Sequence, residues 1–244
     1  MSTDLDLLQH TANSRLKFTD DVVMRAVPQS ELEIPGLGPQ CAAASRDPDT
    51  SQYLIKYVSG CQMQDYDFFH EFCHLKLIAI GFKEVEIIVQ QRSGLCYKSK
   101  QEQEGMNNAV IFIAEAYANY LLFRHFKEES ELVREHLDCS FLFTVPLRRI
   151  VRKLGYSAIA QAVGYRIAKK WCGYNDDLAL RAAFEEAFRG NNVLQIYTRL
   201  YSIMSELPPI RECEEKIQNM TPEDVDSVMK CALKLFENEK EYSG

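Results

Sequence analysis

The chain has 244 residues, 46% of them hydrophobic, enough apolar material for one large domain or two small ones with a real core. A formal net charge of -7 and a pI near 5.4 exclude a whole-molecule attraction to nucleic acid or an anionic membrane, leaving only local patches for such contacts. No apolar run approaches the roughly 20 residues that span a bilayer. The polar, acidic stretch Met1–Lys17 does not read as a signal peptide. The expectation is a cytoplasmic protein with no membrane partner.

The eight cysteines, at 41, 61, 73, 96, 139, 172, 213 and 231, form no C-x-x-C pair, which argues against a cysteine-rich zinc module. In a chain of this size, with no secretion signal, reduced thiols are the simpler expectation.

In chain order, residues 1–50 read as an irregular N-terminal extension that packs on the core, punctuated by Pro28, Pro35, Pro39, Pro48, Gly36 and Gly38. Ser51–Ser59 is rich in β-branched and aromatic residues and predicts a short strand, with Tyr53, Ile55 and Tyr57 sharing one face. A helix is predicted from about Asp67, which can cap it, to Ile80, where Gly81 can end it. Phe68, Phe69, Phe72, Leu75, Leu77 and Ile78 make that helix apolar on most sides, so it should be buried.

Lys83–Gln91 fits helix or strand, and the polar Ser93–Asn108 reads as a loop. A second apolar helix is predicted from about Asn108 to Phe126. Beyond it the pattern is helical near 128–138, 146–153, 156–171, 176–189, 191–205, 209–218 and 222–238. Thr221-Pro222-Glu223-Asp224 is a helix start with proline in the first turn, and the charged tail from Glu237 should fray.

The segment that carries chemistry is His70-Glu71-Phe72-Cys73-His74, of the form H-E-x-x-H. On a helix, positions i and i+4 stack on one face, so both imidazoles reach one metal ion. Glu71 projects beside that ion, where it can take a proton from a zinc-bound water and pass it to a leaving amine. A core helix with structurally hydrogen-bonded histidines is the bland alternative; it suits one lone histidine better than two stacked ones with a glutamate between them.

A catalytic zinc also needs a third protein ligand and an open position. Glu115 is the preferred candidate, in Ala114-Glu115-Ala116-Tyr117-Ala118-Asn119-Tyr120, whose small residues allow close helix approach. Asn119, one turn later on the same face, could accept the free ring N–H of a ligating histidine. His125 lies on a different face, roughly 15 Å along the axis, and His136 has only polar neighbours. Cys73 could be a fourth ligand or, as its position suggests, a buried structural thiol.

H-E-x-x-H followed by E-x-x-x-(D/N) on a second helix resembles the gluzincin arrangement of zinc peptidases. Residues 51–125 resemble most the ImmA/IrrE-like family: the strand at Tyr53–Tyr57, then His70-Glu71-Phe72-Cys73-His74-Leu75, then Glu115-Ala116-Tyr117-Ala118-Asn119. The resemblance implies zinc (Zn2+) on His70, His74 and Glu115, Glu71 as general base, and a small cytoplasmic protein that in several family members cleaves transcriptional repressors. If the chain is a peptidase, an extended substrate could pair with the strand edge near Tyr53–Val58. A tyrosine or histidine should stabilise the oxyanion, with Tyr97 one candidate.

A weaker signal spans 146–171, where Arg148, Arg149, Arg152, Lys153, Arg166, Lys169 and Lys170 occur with no acidic residue between them. Ile159–Tyr165 resembles a helix-turn-helix with Gly164 at the turn, so this stripe could touch phosphates; the alternative is a pair of solvated helix faces.

The expected fold is mainly α (α+β). A zincin-like HExxH metallopeptidase core at 51–127, with a small β-sheet, follows the 1–50 extension and precedes a helical region at 128–244. The expected function is zinc-dependent hydrolysis of peptide bonds in a polypeptide substrate, which could be a regulatory protein. The alternative is a catalytically silent scaffold that binds metal, protein or nucleic acid.

Overall fold

The computed structural model describes residues 5–34, 38–61, 63–82, 100–137, 156–174, 193–209 and 222–243. It is mostly helical, with one small three-stranded sheet. The helices are α1 (Leu5–Leu16), α2 (Asp65–Ala79), α3 (Lys100–His125), α4 (Glu131–Leu137), α5 (Tyr156–Trp171), α6 (Val193–Met204) and α7 (Pro222–Ser243). The strands are β1 (Val22–Val27), β2 (Glu33–Ile34), β3 (Gly38–Pro39), β4 (Ala42–Arg46) and β5 (Tyr53–Val58). No helix among the described residues is long and apolar enough to cross a membrane.

The N-terminal segment is not irregular. It supplies α1 and both partners of β5, in the order β1-β5-β4, with β1 parallel and β4 antiparallel to β5. Its prolines punctuate strands rather than forbid them: Pro28 follows β1, and Pro48 lies in the turn joining β4 to β5. That turn is closed by Asp47, whose Oδ1 accepts the N–H groups of Asp49 and Thr50 at 2.9 and 2.8 Å. β5 is therefore the central strand, not an edge.

Cys41 and Cys61 stand at the adjoining ends of β4 and β5, with Cα atoms 6.1 Å apart, and form a disulfide. This corrects the expectation of reduced thiols throughout and removes the cysteine pattern as an argument for a reducing compartment. Cys73, Cys172 and Cys231 are not disulfide-bonded.

α2 starts two residues before the predicted position. Asp67 caps from inside the first turn, its Oδ2 accepting the Gln64 N–H at 3.2 Å. Gly81, at φ 97°, closes the helix by donating to the Ile78 carbonyl at 3.1 Å. Phe68 and Phe72 are fully buried, Phe18 meets Phe72 edge-on, and Phe69 stacks on Phe126 with centroids 4.4 Å apart. Each such ring contributes roughly 1.5–3 kcal/mol by burial.

α3 begins at Lys100, within the stretch expected to be a loop. Its first turns are polar because they face solvent, and Lys100 pairs with Glu104 one turn on at 3.4 Å. Farther along, Phe112, Ile113, Ala116, Tyr117 and Leu121 are wholly buried, because α3 is packed by α2, α5 and α7 on different sides. Its closest neighbour is α5. A Cβ built on Gly164 of α5 would lie 3.5 Å from Ala116 Cβ and 3.5 Å from Ala116 N, so two small residues bring these backbones together.

Gly164 thus sits mid-helix, which corrects the helix-turn-helix reading. Of the basic stripe, Arg166 and Lys169 are buried; Arg166 donates to the Tyr197 hydroxyl at 2.8 Å and lies over the Tyr201 ring at 4.1 Å. Arg148, Arg149, Arg152 and Lys153 lie outside the described residues, as do the predicted segments 83–91, 146–153 and 176–189. α7 begins at Pro222 and runs to Ser243, so the charged tail continues the helix instead of fraying.

Candidate metal centre

α2 and α3 run antiparallel across one another: Glu115 of α3 meets His70 and His74 of α2, while Asn119, one turn later on α3, meets Tyr66, one turn earlier on α2. The i, i+4 spacing places Tyr66, His70 and His74 along a single stripe. Of the small residues expected to let α3 approach α2, Ala116 lies against Gly164 of α5.

Three side chains converge. His70 Nε2 lies 3.2 Å from Glu115 Oε2, His74 Nε2 lies 3.1 Å from Glu115 Oε1, and the two Nε2 atoms are 3.1 Å apart. Hydrogen bonds to Glu115 do not account for the contact between the two nitrogens. The carboxylate only accepts, so each Nε2 would have to carry a proton toward it. Neither nitrogen would then keep a lone pair for the other, so their 3.1 Å contact would not itself be a hydrogen bond. A cation at the centre accounts for it, because each of the three side chains can offer a lone pair.

The spacing also fits. Metal–ligand bonds of 2.0–2.1 Å in tetrahedral geometry separate neighbouring ligand atoms by about 3.3 Å. His70, His74 and Glu115 can therefore hold a metal ion, and they are the group among the described residues with that capacity. Their side chains remain 15%, 18% and 24% exposed, so the centre is open to solvent on one side, as a site that admits a further ligand must be.

The electrostatics favour an ionised Glu115. Burial works against its carboxylate, but His74 and His70 outweigh that, through charge and hydrogen bonds, and hold its pKa well below the usual carboxylate range. Glu71 behaves oppositely. Burial raises its pKa, with a small addition from Glu115, against the lowering influence of His74, His70 and the Ala44 amide. The two carboxyls at this centre are thus driven apart in proton affinity, one to stay ionised and the other to take up a proton readily.

The Ala44 contact relates Glu71 to the sheet. Val58 donates to the Cys41 carbonyl and Asp47 to the Gln52 carbonyl, so the odd-numbered residues of β4 bond to β5. Ala42 and Ala44 accordingly turn their N–H and C=O groups outward. The Ala44 amide lies close enough to Glu71 to favour its ionised form, and among the described residues no strand pairs with the outward side of β4.

Comparison of the chain with family models, with curated proteins and with solved structures finds no match.

Asn119 is not placed as expected. Its Nδ2 donates to the Glu115 carbonyl at 2.9 Å, and its Oδ1 accepts from the Tyr66 hydroxyl at 3.5 Å, so its amide serves Tyr66 and the α3 backbone rather than an imidazole. His70 Nδ1 is buried without a hydrogen-bond partner among the described residues. Tyr66 is the residue that sequence reading missed, although its place four residues before His70 on the histidine stripe was available as a signal.

Cys73 is wholly buried and stands outside the triangle. His125 also lies apart, at the end of α3. Burial, then Arg124, Lys76, Arg15 and Lys17, lower its pKa to about 4. Tyr97 and the side chain of His136 lie outside the described residues.

Proposed function

We propose that the chain is a zinc metallopeptidase of gluzincin type acting on polypeptide. The observation that carries this reading is the convergence of His70, His74 and Glu115 on one point, with the proton-accepting Glu71 held beside them. Two histidines and a carboxylate with an open side are a donor set suited to catalytic zinc. When bound, zinc would polarise a scissile carbonyl and acidify water at the open position.

The chain's own residues supply the rest. His70 and His74 bind through Nε2, which requires both rings neutral with their remaining proton on Nδ1. Glu115 contributes negative charge. Glu71 takes a proton from the attacking water onto its carboxylate and delivers it to the departing amine, for which a raised pKa is an advantage.

The edge available to an extended substrate is β4, not β5 as expected from the sequence. The outward groups of Ala42 and Ala44 lie along this edge, and the Ala44 amide is the one near Glu71, so a polypeptide could add to the sheet there.

The test is zinc-dependent cleavage of unstructured peptide mixtures, read by mass spectrometry, with Glu71→Gln as control. This variant should keep its zinc and lose about 10²–10⁴-fold in turnover, the usual contribution of a positioned general base. Zinc binding without cleavage of any peptide would instead favour the silent metal-binding scaffold.

A further inference from the structure

A metal-binding histidine is ordinarily oriented by a hydrogen bond from its second ring nitrogen to a carboxylate, carbonyl or water. His74 and His70 share an ion only if each ring plane points its Nε2 at the common centre. At His70, no carboxylate or carbonyl among the described residues takes up the buried Nδ1. The ring contact of Tyr66 is the feature of the described residues placed to fix that ring.

The Tyr66 ring lies nearly parallel to the His70 imidazole, with centroids 6.2 Å apart and planes 13° apart. On its other side His70 meets His74 edge-on, at 4.8 Å and 79°. Tyr66 is itself secured at its far end. Its hydroxyl donates to Asn119 Oδ1 at 3.5 Å, and the Asn119 amide is tied to the Glu115 carbonyl at 2.9 Å. The connection therefore runs from His70 through Tyr66 and Asn119 to Glu115, joining a metal-facing residue of α2 to one of α3.

We infer that Tyr66 is a positioning residue, whose stacked ring holds the His70 imidazole toward the metal where no described carboxylate or carbonyl takes its Nδ1. The inference rests on the metal-centre reading. Its distinctive feature is that the aromatic ring carries the function and the hydroxyl only steadies it. Removing the ring frees His70 to rotate, whereas removing the hydroxyl loosens the ring slightly.

The experiment is a zinc competition titration against a chromogenic chelator on wild type, Tyr66→Phe, Tyr66→Leu and His70→Ala. Visible spectra of the cobalt(II)-loaded proteins and thermal melts of the metal-free proteins accompany it. Tyr66→Leu should lose about 10–100-fold in zinc affinity, the usual cost of removing a residue that orients a ligand, with an altered cobalt spectrum. Tyr66→Phe should stay within about fivefold of wild type, the effect of one neutral hydrogen bond, and keep the wild-type spectrum. If the leucine variant is not folded by circular dichroism, Tyr66→Met, ringless but of similar bulk, takes its place with the same expected loss.

Wild-type affinity in the ringless variant, with binding lost in His70→Ala, would overturn the inference and leave the metal centre standing. Equal losses in the phenylalanine and leucine variants would also overturn it, because the ring would then not be the holding element. A wild type that binds no zinc would remove the metal-centre reading and the inference together.

Discussion

Gly164 offers a sharp test of how the helix that carries Glu115 is held. It lies inside α5, and a Cβ there would rest 3.5 Å from both the Cβ and the N of Ala116, with Ala116 Cα at 3.6 Å. These are ordinary van der Waals separations, so alanine fits without moving either helix. In a helix interior glycine costs about 0.8–1 kcal/mol relative to alanine. The new methyl adds three contacts of roughly 0.1–0.2 kcal/mol each. Gly164→Ala should therefore stabilise the protein by about 1 kcal/mol, raising Tm by roughly 2–4 °C for a chain of this size. Urea or thermal unfolding followed by circular dichroism measures it. A loss of 1 kcal/mol or more would refute the reasoning, because that is the signature of a turn glycine whose positive φ a Cβ cannot tolerate. The same result would return the segment to the helix-turn-helix reading.

Two further outcomes follow from parts of the structure away from the metal centre. The Cys41–Cys61 disulfide spans a sequence separation of 20, for which chain-entropy estimates give about 3 kcal/mol. Cys41→Ser should lose about that much and become insensitive to dithiothreitol, whereas wild type melts earlier in reductant; identical melts for both proteins in both conditions would contradict the pairing. His125 titrates near pH 4 in the folded protein, against an ordinary value of 6.5. Between those values the unfolded chain binds a proton that the folded chain does not, so stability falls as pH drops through the window and is unaffected above it. The site is only half-buried, so solvent screening reduces the effect to on the order of 1 kcal/mol. His125→Asn should flatten the stability–pH profile between pH 6.5 and 4, and an unchanged slope would show that His125 is not its source.

Much of the site was legible because helical spacing is a local property. His70 and His74 share a stripe by the i, i+4 rule, Asp67 and Gly81 mark the ends of α2, and the β-branched, aromatic composition of Tyr53–Val58 marks β5. What local pattern cannot supply is which residues stand opposite one another on two crossing helices. Asn119 shares a face with Glu115, but the antiparallel crossing sets it against Tyr66 rather than against an imidazole. Strand order is equally non-local. Val22–Val27 and Ala42–Arg46 lie among prolines and small residues with weak alternation, and only their pairing with β5 reveals that β5 is central and β4 carries the outward Ala44 amide. The start of α3 was missed for a different reason. A solvent-facing turn such as Lys100–Glu104 has no apolar stripe, so its helical tendency resides in strong helix formers and one ion pair.

The central claim is that His70, His74 and Glu115 form one metal centre, and elemental analysis of the purified protein tests it most directly. Wild type, His70→Ala and Glu115→Ala should be dialysed side by side against trace zinc and their metal content measured. The triangle of ligand atoms predicts about one zinc per chain in wild type, lost in both variants. Wild type that takes up no metal even with zinc supplied would contradict it, and so would Glu115→Ala protein that keeps its full complement.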